Sequence, residues 1–178
     1  MIHRRTSFRC ASALAALALS AVLLQAQPAG QPYTSTEGRY TAKFPGTPKV
    51  TNQTARSALG DLKINVATYA ASDANVYLVS YTDFPVAAAK AENRKTLFDG
   101  VRDALKAKGT VSEKEIEFGP DKLPGREVTV DRDKDQQRIK VRAVLRDNRL
   151  YQVAVIGTAE FVGGKDAAAF LDSLDLTK

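Results

Sequence analysis

Beyond its tenth residue this chain has no histidine and no cysteine: the single copies are His3 and Cys10. Tryptophan is absent, and the one methionine is Met1. These absences exclude much chemistry. A Ser-His-Asp triad, a Cys-His pair, a zinc centre and a histidine-held metal all need residue types that the body of the chain lacks. A Ser-Lys or two-carboxylate mechanism would still be compatible with the composition, but no local spacing points to either. Disulfides are excluded as well, so stability has to come from packing and from hydrogen-bonded strands. The expectation is a protein without catalysis, cofactor or metal.

The first residues read as an export signal. His3, Arg4, Arg5 and Arg9 form a basic head, Ala11 to Leu24 is an uncharged Ala- and Leu-rich run, and small residues Ala26 and Ala29 follow. The run is shorter than the roughly 20 apolar residues that span a bilayer, which favours cleavage over a retained anchor. Cys10 precedes the run, so it is misplaced for lipidation. Arg4-Arg5 is a poor twin-arginine match, because Thr6 and Ser7 separate the pair from Phe8. The expected division is 1–26 as signal peptide, 27–37 as a loose leader and 38–178 as one domain, exported to the periplasm or beyond.

The formal charge of +6 shrinks once the signal's three arginines are set aside, leaving 23 Lys and Arg against 20 Asp and Glu. Basicity is therefore no argument for nucleic acid. About 150 residues suffice for a domain that buries roughly two thirds of its unfolded surface.

Alternation marks strands. Tyr40, Ala42 and Phe44 alternate with polar neighbours up to Pro45-Gly46, where Gly46 is expected to supply the positive φ of a turn. Val50 to Leu59 and Leu62 to Tyr69 flank Gly60-Asp61, an expected hairpin turn, and Leu62, Ile64, Val66 and Thr68 share one strand face. Val76 to Thr82 reads as a buried strand. From Glu92 to Lys108 the period changes: Leu97, Val101 and Leu105 recur every four residues, with Phe98 and Ala104 widening the stripe of an amphipathic helix that ends at Gly109. Strands are expected again over Thr110 to Phe118, Arg126 to Val130, Gln136 to Leu145 and Leu150 to Gly157, and a closing helix over Lys165 to Leu174. The short connections make the strands antiparallel.

Four motifs in this order resemble the PsbP-like family over most of Tyr33 to Lys178. They are Phe44-Pro45-Gly46-Thr47-Pro48, Leu123-Pro124-Gly125-Arg126-Glu127, Arg149-Leu150-Tyr151-Gln152-Val153 and Phe170-Leu171-Asp172-Ser173-Leu174. The resemblance implies an α+β fold, an antiparallel β-sheet sandwiched by helices (an α-β-α sandwich). It also implies partner binding rather than catalysis, since the characterised members, an extrinsic photosystem subunit and a Ran-binding import factor among them, bind partners. The matching residues are turn formers and core aromatics, and none carries a functional role across.

Several local patterns fall short of sites. Asp131, Asp133 and Asp135 copy half a calcium loop, but Gln136 replaces its glycine and Arg142 stands where a bidentate glutamate belongs. Gly163-Gly164-Lys165 lacks the first glycine and the hydroxyl residue of a phosphate loop. Asn52-Gln53-Thr54 is a glycosylation sequon, relevant only in a eukaryotic secretory pathway. Tyr69, Tyr77 and Tyr81 suit either a pocket lining or core packing.

The most informative surface pattern is Arg138, Lys140 and Arg142, three cations on one face of a strand whose other face is apolar. Glu113, Glu115 and Glu117 form an acidic counterpart. If the two strands neighbour, the rows form a charge ladder worth roughly 0.2–1 kcal/mol per pair; if they are apart, the basic row is a candidate docking surface. The functional expectation is an exported binding or assembly module of a bacterial envelope that docks another envelope protein, with no nucleic acid and no transmembrane anchor. The alternative is a carrier of a small apolar or anionic ligand held between sheet and helix.

Overall fold

A computed structural model of the chain describes residues 31–57 and 59–177. The expected signal peptide, with His3 and Cys10, lies outside the described residues, as do residues 27–30 of the leader. Among the described residues ten strands and three helices follow one another: β1 (Gln31–Ser35), β2 (Tyr40–Phe44), β3 (Lys49–Ser57), β4 (Gly60–Ala70), β5 (Val76–Asp83), α1 (Arg94–Lys106), β6 (Thr110–Phe118), β7 (Leu123–Arg132), β8 (Gln137–Arg146), β9 (Arg149–Thr158), α2 (Ala159–Gly163), α3 (Lys165–Asp172) and β10 (Asp175–Leu176). Two short 3-10 turns lead from β5 into α1.

The strands divide into a seven-stranded antiparallel sheet, in the order β3-β4-β5-β9-β8-β7-β6, and a three-stranded sheet, β1-β2-β10. This corrects the expected α-β-α sandwich. Only one face of the large sheet is covered by a helix of substantial length, the 13-residue α1. The other face carries the small sheet, helped by the five-residue α2 and the eight-residue α3. The fold is thus mostly β, two sheets in contact with helices as minor parts. The reason lies in β2: its alternation correctly marks a strand with one buried face, but periodicity says nothing about which sheet the strand joins.

The face against the small sheet is the aromatic face. Tyr40 and Phe44 of β2, Tyr77 and Tyr81 of β5, Tyr151 of β9 and Phe170 of α3 form one core cluster with Ala67, Val79, Val153 and Val155. Phe170 lies 4.9 Å, centroid to centroid, from both Phe44 and Tyr77, and the Tyr77 contact is edge-on, the geometry that the ring quadrupoles favour. The opposite, helix face holds two smaller clusters: Phe98 and Val101 of α1 against Ala143, Leu145 and Leu150, and Val128, Val130, Ile139, Val141 and Ala154 beside Leu105.

Gln31–Ser35, read from the sequence as part of a loose leader, pairs in full with β2. Its Pro32 would disqualify it from a central position, but β1 is an edge strand, where a missing N–H costs no ladder bond. Two turns also differ from expectation. Ser57 pairs with Gly60, so Gly60-Asp61 belongs to β4 rather than to the turn. Gly60 takes φ of 101° there, a conformation open to glycine. Gly46 is not at positive φ; the Tyr69 ring lies 2.5 Å from where its Cβ would stand, so the glycine is required by a close approach.

Candidate functional site

Strand register decides the fate of the two charged rows. β6 and β8 are not neighbours, because β7 lies between them. Glu113 pairs with Val128, whose partner is Val141, whereas Arg142 pairs with Glu127, whose partner is Lys114. Glu113, Glu115 and Glu117 therefore project from the helix face, and Arg138, Lys140 and Arg142 from the aromatic face. The cross-strand ladder between these rows does not form.

Each row instead finds partners from other elements. Arg126 of β7, buried at 5% exposure, donates from Nη1 to Asp99 of α1 at 2.7 Å and to Glu113 at 3.2 Å. Its guanidinium lies 5.6 Å from the centre of the Phe98 ring. Lys95 donates to the other Asp99 oxygen at 2.7 Å. The hydrogen bond from Lys95, then that from Arg126, hold the Asp99 carboxyl down at about 2. This network fastens α1 to the sheet, which accounts for the burial of a cation that the sequence placed in a turn-and-strand motif.

On the aromatic face, beyond the reach of the small sheet, the side chains of β6, β7 and β8 form a polar platform with three rows. Register aligns Thr110, Asp131 and Arg138; then Ser112, Thr129 and Lys140; then Lys114, Glu127 and Arg142. Arg138 donates to Asp131 at 2.6 Å. Arg142 bridges Glu127 at 2.8 Å and Asp172 of α3 at 2.5 Å, while Lys114 reaches Glu127 from the far side at 3.1 Å. Burial pushes the Glu127 carboxyl up, but the hydrogen bonds from Arg142 and Lys114 outweigh it and hold the group below the usual range. The middle row is different. Lys140, half-buried, has no carboxylate within 4.0 Å among the described residues, and Thr129 and Ser112 beside it offer only hydroxyls. The structure thus separates the three sequence-marked cations: Arg138 and Arg142 are engaged, and Lys140 stands uncompensated between them.

The aspartates of the half calcium loop are also committed in part. Asp131 holds Arg138, and Asp135 accepts from Arg132 Nη2 at 2.5 Å. Tyr77 and Tyr81 are core residues, and Tyr69 packs against the same cluster, so these three are packing partners rather than a pocket lining.

One feature escaped the sequence. An open cleft of about 570 Å³ lies at the sheet end near the start of α1, lined by Arg39, Arg94, Arg146, Leu123, Leu145, Asp121 and Asp147 among others. Arg146 is held by Asp121 at 2.5 Å and by the Leu176 carbonyl at 2.8 Å. Arg39 and Arg94 are exposed and have no carboxylate within ion-pair distance among the described residues. These cations come from the β1–β2 turn, the start of α1 and the end of β8; only the tertiary fold brings them together.

No family profile and no curated protein sequence matches the chain. Among the described residues no helix is long and apolar enough to cross a membrane.

Proposed function

We propose that the protein is an exported, non-catalytic binding or assembly module that docks an acidic partner of the bacterial envelope on the β6–β8 platform. The observation that carries this reading is Lys140. It is a cation held between two arginines by strand geometry, with hydroxyls rather than a carboxylate next to it. An acidic side chain arriving there would find a charge whose attraction is not already spent, on a surface rigidified by the ion pairs of Arg138 and Arg142. The missing imidazole and thiol groups support a non-catalytic role, and the basic head and apolar run of the first 26 residues support export. The four motifs support kinship with the PsbP-like proteins.

Crosslinking in envelope extracts, with the native chain and with Lys140→Glu, tests the reading. A reproducible partner should be captured by the native chain, less at high salt, and roughly five- to tenfold less by the variant, as expected for about 1–1.4 kcal/mol. Equal capture by both removes the platform from the proposal, and failure to recover any partner removes the binding module.

A second reading, carriage of a small anion, draws support from the cleft holding Arg39 and Arg94. The apolar-ligand form of that reading has less support, since the tyrosines that would line its pocket are packed against one another. Calorimetric titration with small dicarboxylates tests it; absence of heat at about 1 mM ligand sinks it.

A further inference from the structure

The two edges of the large sheet are built differently. β6, at one edge, places Glu113, Lys114, Glu115 and Glu117 along its length. Were two copies of β6 to pair antiparallel about Lys114, lysine would face lysine and Glu113 would face Glu115 twice, an arrangement that like-charge repulsion disfavours. β3, at the other edge, carries none of these defences over its middle. Its nine residues run Lys49-Val50-Thr51-Asn52-Gln53-Thr54-Ala55-Arg56-Ser57 with no acid and no proline. All but Ala55 are exposed, and among the described residues β4 is its single strand neighbour. A long unpaired edge of this kind is a template for another strand.

We infer that β3 pairs antiparallel with β3 of a second copy of this chain, about a two-fold axis through Gln53. In that register Gln53 faces Gln53, Asn52 faces Thr54, Thr51 faces Ala55, Val50 faces Arg56 and Lys49 faces Ser57. No charge meets a like charge anywhere along the nine pairs, and both cations fall opposite neutral residues. Strand self-recognition needs this charge compatibility, because a two-fold axis brings each residue against its own neighbourhood. β-Branched residues, of which the strand has Val50, Thr51 and Thr54, suit cross-strand packing. The pairing also explains the side chains behind it. Thr51, Gln53 and Ala55 share the helix face of the sheet with Leu62, Ile64 and Val66 of β4, opposite which they sit in register. That stripe has no charge, and α1 packs on β6, β7 and β8 at the other end of the sheet. Self-pairing joins two seven-stranded sheets into one and makes the two uncharged stripes continuous across the axis.

Sedimentation equilibrium of the chain, with Cys10→Ser to remove its one thiol, gives the first test. A reversible dimer in the μM class is expected, the range in which small interfaces fall. Adding Asn52→Lys and Thr54→Lys opposes lysines at two symmetric places and should weaken the dimer by about tenfold or more, at up to ~1 kcal/mol per like-charge pair. Both positions are exposed, so circular dichroism should show an unchanged fold. The second test uses Gln53→Cys on the same background. Facing residues of an antiparallel pair lie 4.5–5.5 Å apart at Cα, roughly the span of a disulfide. Oxidation should therefore link two copies through Gln53→Cys much faster than through Lys114→Cys, at the centre of the defended edge. A monomer up to about 1 mM, or equal linking rates at the two edges, overturns the inference. Either result would assign the β3 edge to a strand of another protein, or to none.

Discussion

The aromatic face and the helix face of the large sheet solve the same burial problem with different materials. On the aromatic face, rings from β2, β5, β9 and α3 interlock, the Tyr151 hydroxyl donates to the Gly38 carbonyl at 2.8 Å within them, and the ion pairs of Arg149 and Arg142 lie at the rim. On the helix face a single helix covers three strands, and part of its attachment is ionic: Asp99 pairs with Arg126 of β7 and Arg102 with Glu113 of β6, while Lys95 braces Asp99 from within the helix. Packing of large side chains contributes more per residue than partly exposed ion pairs do. The comparison teaches that the small sheet is the structural keystone and that α1 is the more easily detached layer.

The largest expected effect lies on the aromatic face. Phe44 is fully buried, and Phe44→Ala should cost about 4 kcal/mol in denaturant unfolding, the range for a phenylalanine removed from a packed core. Next comes the helix face. Arg126→Ala leaves Asp99 and Glu113 without their buried partner, but both carboxylates are partly open to water, so about 2 kcal/mol is expected rather than the full cost of breaking a buried pair. Hydrogen exchange should show α1 loosening before the aromatic face does; simultaneous loss of protection in both layers would erase the distinction drawn here. A smaller effect follows from Tyr151→Phe, which keeps the ring and strands the Gly38 carbonyl, costing about 1 kcal/mol in the same unfolding assay.

Acid should sharpen the contrast with the smallest perturbation. The folded-state value of Asp99 lies below its ordinary value, so its ionised form stabilises the fold above about pH 4, and that contribution fades as pH falls towards about 2. Asp83 behaves in the same direction, held down by hydrogen bonds from Arg149. Amides of α1 should lose protection across this window ahead of those of β2, and the ends of β5 and β9 that Asp83 and Arg149 join should loosen with α1. Exchange measured from pH 5 to about 2 checks it.

Sequence reading located α1, β6 and β8 to within a residue or two, because each shows a sustained period of one kind. It overlooked β1, α2 and β10 for a shared reason. Five, five and two residues are too few for a period to declare itself, and these elements exist because tertiary partners complete them: Asp175 and Leu176 are a strand only by pairing with Thr41 and Tyr40. Alternation also revealed which residues of a strand share a side, without revealing which side is deeper. Leu62, Ile64 and Val66 were read together correctly, yet Asn65 and Ala67, on the other side of β4, face the aromatic core. The charged rows show the same gap. Arg138 to Arg142 and Glu113 to Glu117 alternate alike, and only the interposition of β7 and its register sends them to opposite faces. Of the β6–β8 platform, the cations were legible; that among the described residues Lys140, unlike Arg138 and Arg142, has no carboxylate partner was not, because Asp131, Glu127 and Asp172 reach the arginines from two other elements.

The guanidinium of Arg149 forks onto both oxygens of Asp83, at 2.5 and 2.6 Å, donates to the Glu37 carbonyl at 2.7 Å and lies 4.5 Å from the Tyr81 ring centre. One side chain thereby joins chain positions 112 residues apart. Strand β2 is sealed in the same way by residues near the end of the chain. In a nascent polypeptide the cover that Tyr151 gives Tyr40 and Phe170 gives Phe44 is therefore missing until more than a hundred further residues have been added. Contacts so distant along the chain are the kind whose closure slows folding, so β2 belongs to the last part of the molecule to settle.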